Sequence, residues 1–160
     1  MRMKIQESAI DGFYLIQELS QTKNICLGNA INIQADILEI IASFQTLAKR
    51  RPKVRKLGIY SQITLNNLYN PISFSSCQQM VRAYIRGIKW DDLQYMSFYE
   101  IGYNHLSIHI IFNRVTLNGQ LIDLNCLGAS WQQYEVLRKA YCSVIKPSYI
   151  NYFSTKYYVR

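Results

Sequence analysis

Both histidines of the chain, His105 and His109, fall in one stretch, 99–115. Leu106 to Val115 is rich in Ile, Phe and Val and holds no Pro or Gly, which predicts a well-buried strand. Side chains alternate faces along a strand. Ser107, His109, Ile111 and Asn113 therefore share one face, and Leu106, Ile108, Ile110 and Phe112 the other. The second set is apolar and should pack on helices. The first begins with polar atoms and should open onto a site. An imidazole there is a metal ligand or a residue spent on structure, and the residues alone leave both open.

A second signal is charge. Lys49, Arg50, Arg51, Lys53, Arg55 and Lys56 put six basic residues within eight positions. On a loop they offer phosphate oxygens charge and hydrogen bonds without reading base sequence; the plainer alternative is a solvated run. The whole chain agrees with the first: its formal net charge is +8 and its pI about 9.4. A basic domain of this size favours polyanions, nucleic acid first.

These residues need a frame. A chain of 160 residues, 49% of them apolar, predicts one domain with a single core. No apolar run reaches the roughly 20 residues that span a membrane, and the first residues do not form a signal peptide. Cys26, Cys77, Cys126 and Cys142 lack CxxC spacing, which predicts buried free thiols in a reducing cytoplasm. Met1 to Ile10 is a candidate strand. Gln34 to Lys49 predicts a helix, with Ile37, Ile40, Ile41, Phe44, Leu47 and Ala48 on one face and Pro52 as its stop. Leu57 to Leu65 predicts a strand. Ser73 or Ser75 caps a helix to about Gly87, with Cys77, Met80, Val81, Tyr84 and Ile85 inward. Leu93 to Tyr99 predicts a strand beside the central one. Thr116 to Gly119 is a hairpin signal, and Gln120 to Leu124 a short returning strand. Trp131 to Cys142 predicts the last helix. Beyond Pro147 a basic tail carries Tyr149, Tyr152, Phe153, Lys156, Tyr157, Tyr158 and Arg160, suited to stacking bases or to packing as an arm. The expected fold is α/β of the α+β kind: an antiparallel sheet of about five strands, helices mainly on one face and His109 on the other, open one.

The central stretch resembles the relaxases, the HUH endonucleases that nick DNA in conjugation and plasmid mobilisation. Ser107-Ile-His-Ile-Ile-Phe-Asn-Arg-Val115, followed by Asn118-Gly119, is similar to the family's His-x-His-Ile-Val-x-Asn-Arg-Val strand and turn, with serine for the first histidine. Glu100-Ile-Gly102 stands where the family has His-x-Asp. Tyr60 stands where a neighbouring strand has histidine. Gly12-Phe-Tyr-Leu15, followed by Leu27-Gly-Asn29, loosely resembles the context of the nucleophilic tyrosine. The resemblance covers about residues 12–142 and is strongest over 48–124.

The resemblance implies strand-specific nicking and rejoining of single-stranded DNA. Tyr14 would attack the scissile phosphate to give a 5′-phosphotyrosyl link. A Mg²⁺ or Mn²⁺ ion would be held by His109, Glu100 and His105, since carboxylates suit those ions. Ser107, Tyr60 and Asn113 would line the site, and Lys49 to Lys56 would hold the strand. Implied partners are single-stranded or hairpin DNA of the transfer-origin type and accessory mobilisation proteins, in the cytoplasm and away from membranes. The chain is a whole protein or the nicking piece of a longer one. With two of the family's three metal-ligand histidines replaced, a catalytically silent module that binds DNA stands beside the nickase. A plain interaction domain for RNA or an acidic protein is the unrelated third reading.

Overall fold

Alternation along the first ten residues decides what they become. Arg2, Lys4, Gln6 and Ser8 stay exposed while Met3 and Ile5 turn inward, and the segment forms strand β1 (Arg2–Ile10). In the computed structural model, which describes residues 1–145, there follow α1 (Leu15–Thr22), β2 (Asn24–Asn29), α2 (Ile37–Ala48), β3 (Gly58–Asn66), α3 (Phe74–Gly87), β4 (Tyr95–Ile101), β5 (Leu106–Asn113) and α4 (Trp131–Val144). The strands lie in the order β1-β3-β5-β4-β2, and every neighbouring pair is antiparallel. The architecture is the expected α+β one. The Tyr-rich tail falls outside the described residues.

One strand differs from expectation. β2 joins the sheet, and Gln120 to Leu124 does not. The turn at Thr116 to Gly119 does form, with Gly119 at φ +80° and its N–H on the Thr116 carbonyl at 2.8 Å. Past it only Val115 and Leu121 make a bridge. Guanidinium groups take carbonyls that a ladder would use. Arg114 Nε donates to the Ile122 carbonyl at 2.6 Å, and Arg50 and Arg51 clasp the carbonyls of Leu117 and Gly119 at 2.7 and 2.6 Å.

Helices cover both faces rather than mainly one. α3 and α4 pack on Ile59, Ile63, Leu65, Leu106, Ile108, Ile110 and Phe112. The opposite face is mixed. Ile111, Met96 and Phe98 are apolar and need a cover, which Phe13, Ile16, Ile40, Ile41 and Phe44 of the α1 and α2 layer supply. The Phe13 and Phe44 rings meet at 5.0 Å. The cover reaches only half of that face. Helix starts follow local chemistry: Ser73 Oγ accepts from Ser76 N at 3.1 Å, and Ser130 Oγ from Gln133 N at 3.4 Å. All four cysteines are free, but only Cys26 and Cys77 are buried; Cys142 is half-buried and Cys126 exposed.

Asn113 ties the covered half together. Its Nδ2 donates to the Phe44 carbonyl and to Gln94 Oε1, both at 2.9 Å, and its Oδ1 accepts from Val115 N at 3.1 Å. It is fully buried beneath α2. It therefore belongs to the core and does not line the open part of the sheet. Asn113→Ala should lower unfolding free energy by about 1–3 kcal/mol, because the Phe44 carbonyl and the Gln94 amide lose a buried donor. Urea titration should show an earlier midpoint at unchanged slope.

Candidate nucleic-acid interface

Register builds the uncovered half of the sheet. Residues opposite one another across a ladder share a face. One row runs Lys4, Thr64, Ser107, Glu100 across β1, β3, β5 and β4. The next runs Gln6, Gln62, His109, Phe98. Arg2 lies opposite Asn66, and Ser8 opposite Tyr60. Lys23, just before β2, ends the first row by pairing its ammonium with the Glu100 carboxylate. The open surface thus carries Arg2, Lys4 and Lys23 against one acid, Glu100.

The structure brings Glu100, His105, Ser107, His109 and Tyr60 together. Gly102 donates its N–H to the His105 carbonyl at 2.9 Å, which extends the β4–β5 ladder by a pair. A Cβ on Gly102 would lie 2.0 Å from His105 Cε1. The His105 ring therefore occupies the space beside Glu100 that glycine leaves free. His109 faces the expected way but is not in the open, being only 5% exposed. Tyr60 Oη meets its Nδ1 at 2.6 Å, and Ser107 Oγ meets its Nε2 at 2.7 Å. Tyr60 also stacks nearly parallel to the imidazole, centroids 6.0 Å apart.

Electrostatics hold this arrangement neutral. Burial pushes the His109 pKa below its ordinary value, Lys23 adds to that, and Glu100 opposes it more weakly. Burial raises the Tyr60 phenol, so it keeps its proton at neutral pH. The Lys23 ammonium lowers the Glu100 carboxyl, with smaller help from His105 and His109.

A divalent ion needs lone pairs from about three donors, and these residues do not fit one. A neutral imidazole has one free lone pair, and each His109 nitrogen faces a hydroxyl. Glu100 already neutralises an ammonium. Among the described residues, no group of three His, Cys, Asp or Glu could hold a metal. The ligand set expected from the sequence, His109, Glu100 and His105, is brought close, but His109 is held by Tyr60 and Ser107 and Glu100 by Lys23.

Tyr14 caps the N-terminus of α1, the helix layer on the His109 face, and is 65% exposed. Asp11, in the same loop, pairs with Lys56 at 2.8 Å and so joins this loop to the basic segment. Of that segment, Arg50 and Arg51 are turned onto the 117–119 carbonyls and Lys56 onto Asp11. Lys49, Lys53 and Arg55 are exposed. The cations on the sheet itself, Arg2, Lys4 and Lys23, escaped sequence reading. The Arg2-Met3-Lys4-Ile5 alternation carried the signal for two of them; nothing local carried it for Lys23.

The family model for relaxases, described as the MobA/VirD2-like nuclease domain, matches residues 14–144. Comparison with curated proteins gave no match, nor did comparison with solved structures. No helix among the described residues is long and apolar enough to cross a membrane.

The direction of the His109 shift has a consequence in pH. With its folded-state pKa depressed, His109 costs no stability above its ordinary value of 6.5. Below that the unfolded chain takes up a proton first, so stability should fall with pH until the folded imidazole also titrates. Lys23→Met should raise the His109 pKa, as the repelling charge leaves and Glu100 remains. Urea titration at several pH values checks the first, and an NMR titration of the imidazole resonances the second; a His109 pKa at or above 6.5 in the parent protein contradicts the buried setting of that ring.

Proposed function

The chain belongs to the relaxase family of MobA/VirD2-like nuclease domains, and on that premise we propose that it works chiefly as a single-stranded DNA-binding module. The family places it among DNA-nicking and mobilisation nucleases. Its own residues favour holding DNA over metal-assisted cutting. One observation carries this reading. The open half of the sheet is polar and net basic, while the groups where the family's metal would sit are bonded to one another.

The strand would lie across β1 and β3, its phosphates on Arg2 and Lys4 and its sugars or bases over Gln6, Gln62 and Thr64. Lys49, Lys53 and Arg55 would extend the path at the other end of β3. The DNA would be single-stranded or hairpin DNA of the transfer-origin type, in the cytoplasm, with accessory mobilisation proteins as further partners. No chemical step is assigned to a metal.

A second reading keeps the nickase. The exposed phenol of Tyr14 at the N-cap of α1 supports it, because a nucleophile must reach a phosphate. A neutral phenol is a poor nucleophile and also needs activation.

Binding to a labelled single-stranded oligonucleotide pool separates these readings. The module binds without forming a covalent adduct, and Tyr14→Phe leaves affinity unchanged. An adduct that vanishes in Tyr14→Phe establishes the nickase instead. Arg2→Ala with Lys4→Ala should weaken binding and reduce the slope of log K against log salt by about 0.7 for each phosphate contact removed. Unchanged affinity and slope in that variant would move the DNA off the sheet.

A further inference from the structure

We propose that the Lys23 ammonium, oriented by Glu100, takes the place of the divalent ion in this domain and holds a DNA phosphate without any metal. The inference rests on the DNA-binding reading above. Lys23 stands at the end of the row Lys4, Thr64, Ser107, Glu100. Glu100 and Ser107 are the positions where the resemblance puts metal ligands, and His109 is one pair further along β5. The positive charge among those three is therefore part of the chain.

The geometry is that of a phosphate donor. An ammonium has three N–H bonds. One is directed at Glu100, which leaves the others for a second acceptor. The Lys23 side chain is 24% exposed and its partner Glu100 is 45% exposed, so the pair is open to solvent. Its charge acts on Glu100 and His109 together, lowering both pKa values. A divalent ion there would share one carboxylate with an existing cation. That repulsion, with Ser107 in place of a stronger ligand and His109 held at both nitrogens, disfavours the ion and leaves the ammonium in its position. A lysine supplies a fixed point charge; its donation to a phosphate is a charge-assisted hydrogen bond.

The test uses fluorescence anisotropy with labelled mixed-sequence single-stranded DNA, in EDTA and in Mn²⁺, beside titration of the protein with Mn²⁺ alone followed by EPR. The parent protein should bind DNA equally in both buffers and leave the Mn²⁺ signal that of the free ion. Lys23→Gln should lose about tenfold in affinity, the worth of one charge-assisted hydrogen bond, and Lys23→Arg should recover most of it. Lys23→Gln combined with Ser107→His should bind Mn²⁺ and regain DNA affinity when it is added. Circular dichroism confirms that each variant is folded. A parent protein that binds DNA only with Mn²⁺, or that takes up Mn²⁺ alone, overturns this inference and leaves the DNA-binding reading standing. Full affinity in folded Lys23→Gln does the same. A parent protein that binds DNA in neither buffer overturns the DNA-binding reading, and this inference with it.

Discussion

β5 is hydrogen-bonded to β3 on one side and to β4 on the other, and its register in those two ladders sets everything around it. A slip of one residue would turn His109 into the α3 and α4 layer and bring Ile108 or Ile110 onto the polar face. Four apolar residues, Leu106, Ile108, Ile110 and Phe112, oppose that slip, since all are fully buried on the same side. Burial of side chains this size contributes about 1.5–3 kcal/mol each, and the four together outweigh any single polar contact on the other face. The hydrophobic side of the strand therefore dictates where its polar side points. Once β5 is placed, Glu100 falls opposite Ser107, and Gln62 opposite His109, without further choice.

The polar face is divided by a second constraint. Ile111, Met96 and Phe98 lie on it and cannot face water, so α1 and α2 close over them. Asn113 and Gln94 fasten that closure through the Phe44 carbonyl and Ser43. What remains uncovered is the part nearer Arg2, Lys4 and the β4–β5 turn. Fold and site thus meet at His109, the last residue of β5 before the apolar cover begins. Its two hydroxyl partners, Tyr60 and Ser107, satisfy both nitrogens of a nearly buried ring, which would otherwise be costly. The same bonds occupy the lone pair that a metal would use. Structural satisfaction and metal ligation compete for one imidazole, and in this chain the former prevails.

The Asn113-Arg114 pair shows how a motif read for chemistry can serve architecture. Asn113 locks β5 to α2, and Arg114 spans from the Lys56 carbonyl to that of Ile122. Likewise, the run of basic residues at 49–56 is divided in its use. Arg50 and Arg51 stabilise a turn 67 and 68 residues away, and the electropositive surface depends as much on β1 as on that loop.

Local pattern in the chain was enough for the α+β class, for β3, β4, β5 and three of the four helices, and for the face on which His109 lies, because burial imposes periods of two and 3.6 that survive in sequence. It was silent on α1, only eight residues long, and on β2, whose ladder with β4 shifts register between Ile25 and Gly28. The resemblance to the family pointed to Glu100, Ser107 and His109 as neighbours. It did not show that Tyr60 and Ser107 would bind both nitrogens of that imidazole, or that Lys23 would meet Glu100 across 77 positions of chain. Alternation tells which side of a strand a residue takes. Which partner waits there depends on how distant strands are laid side by side, and only the assembled sheet decides that.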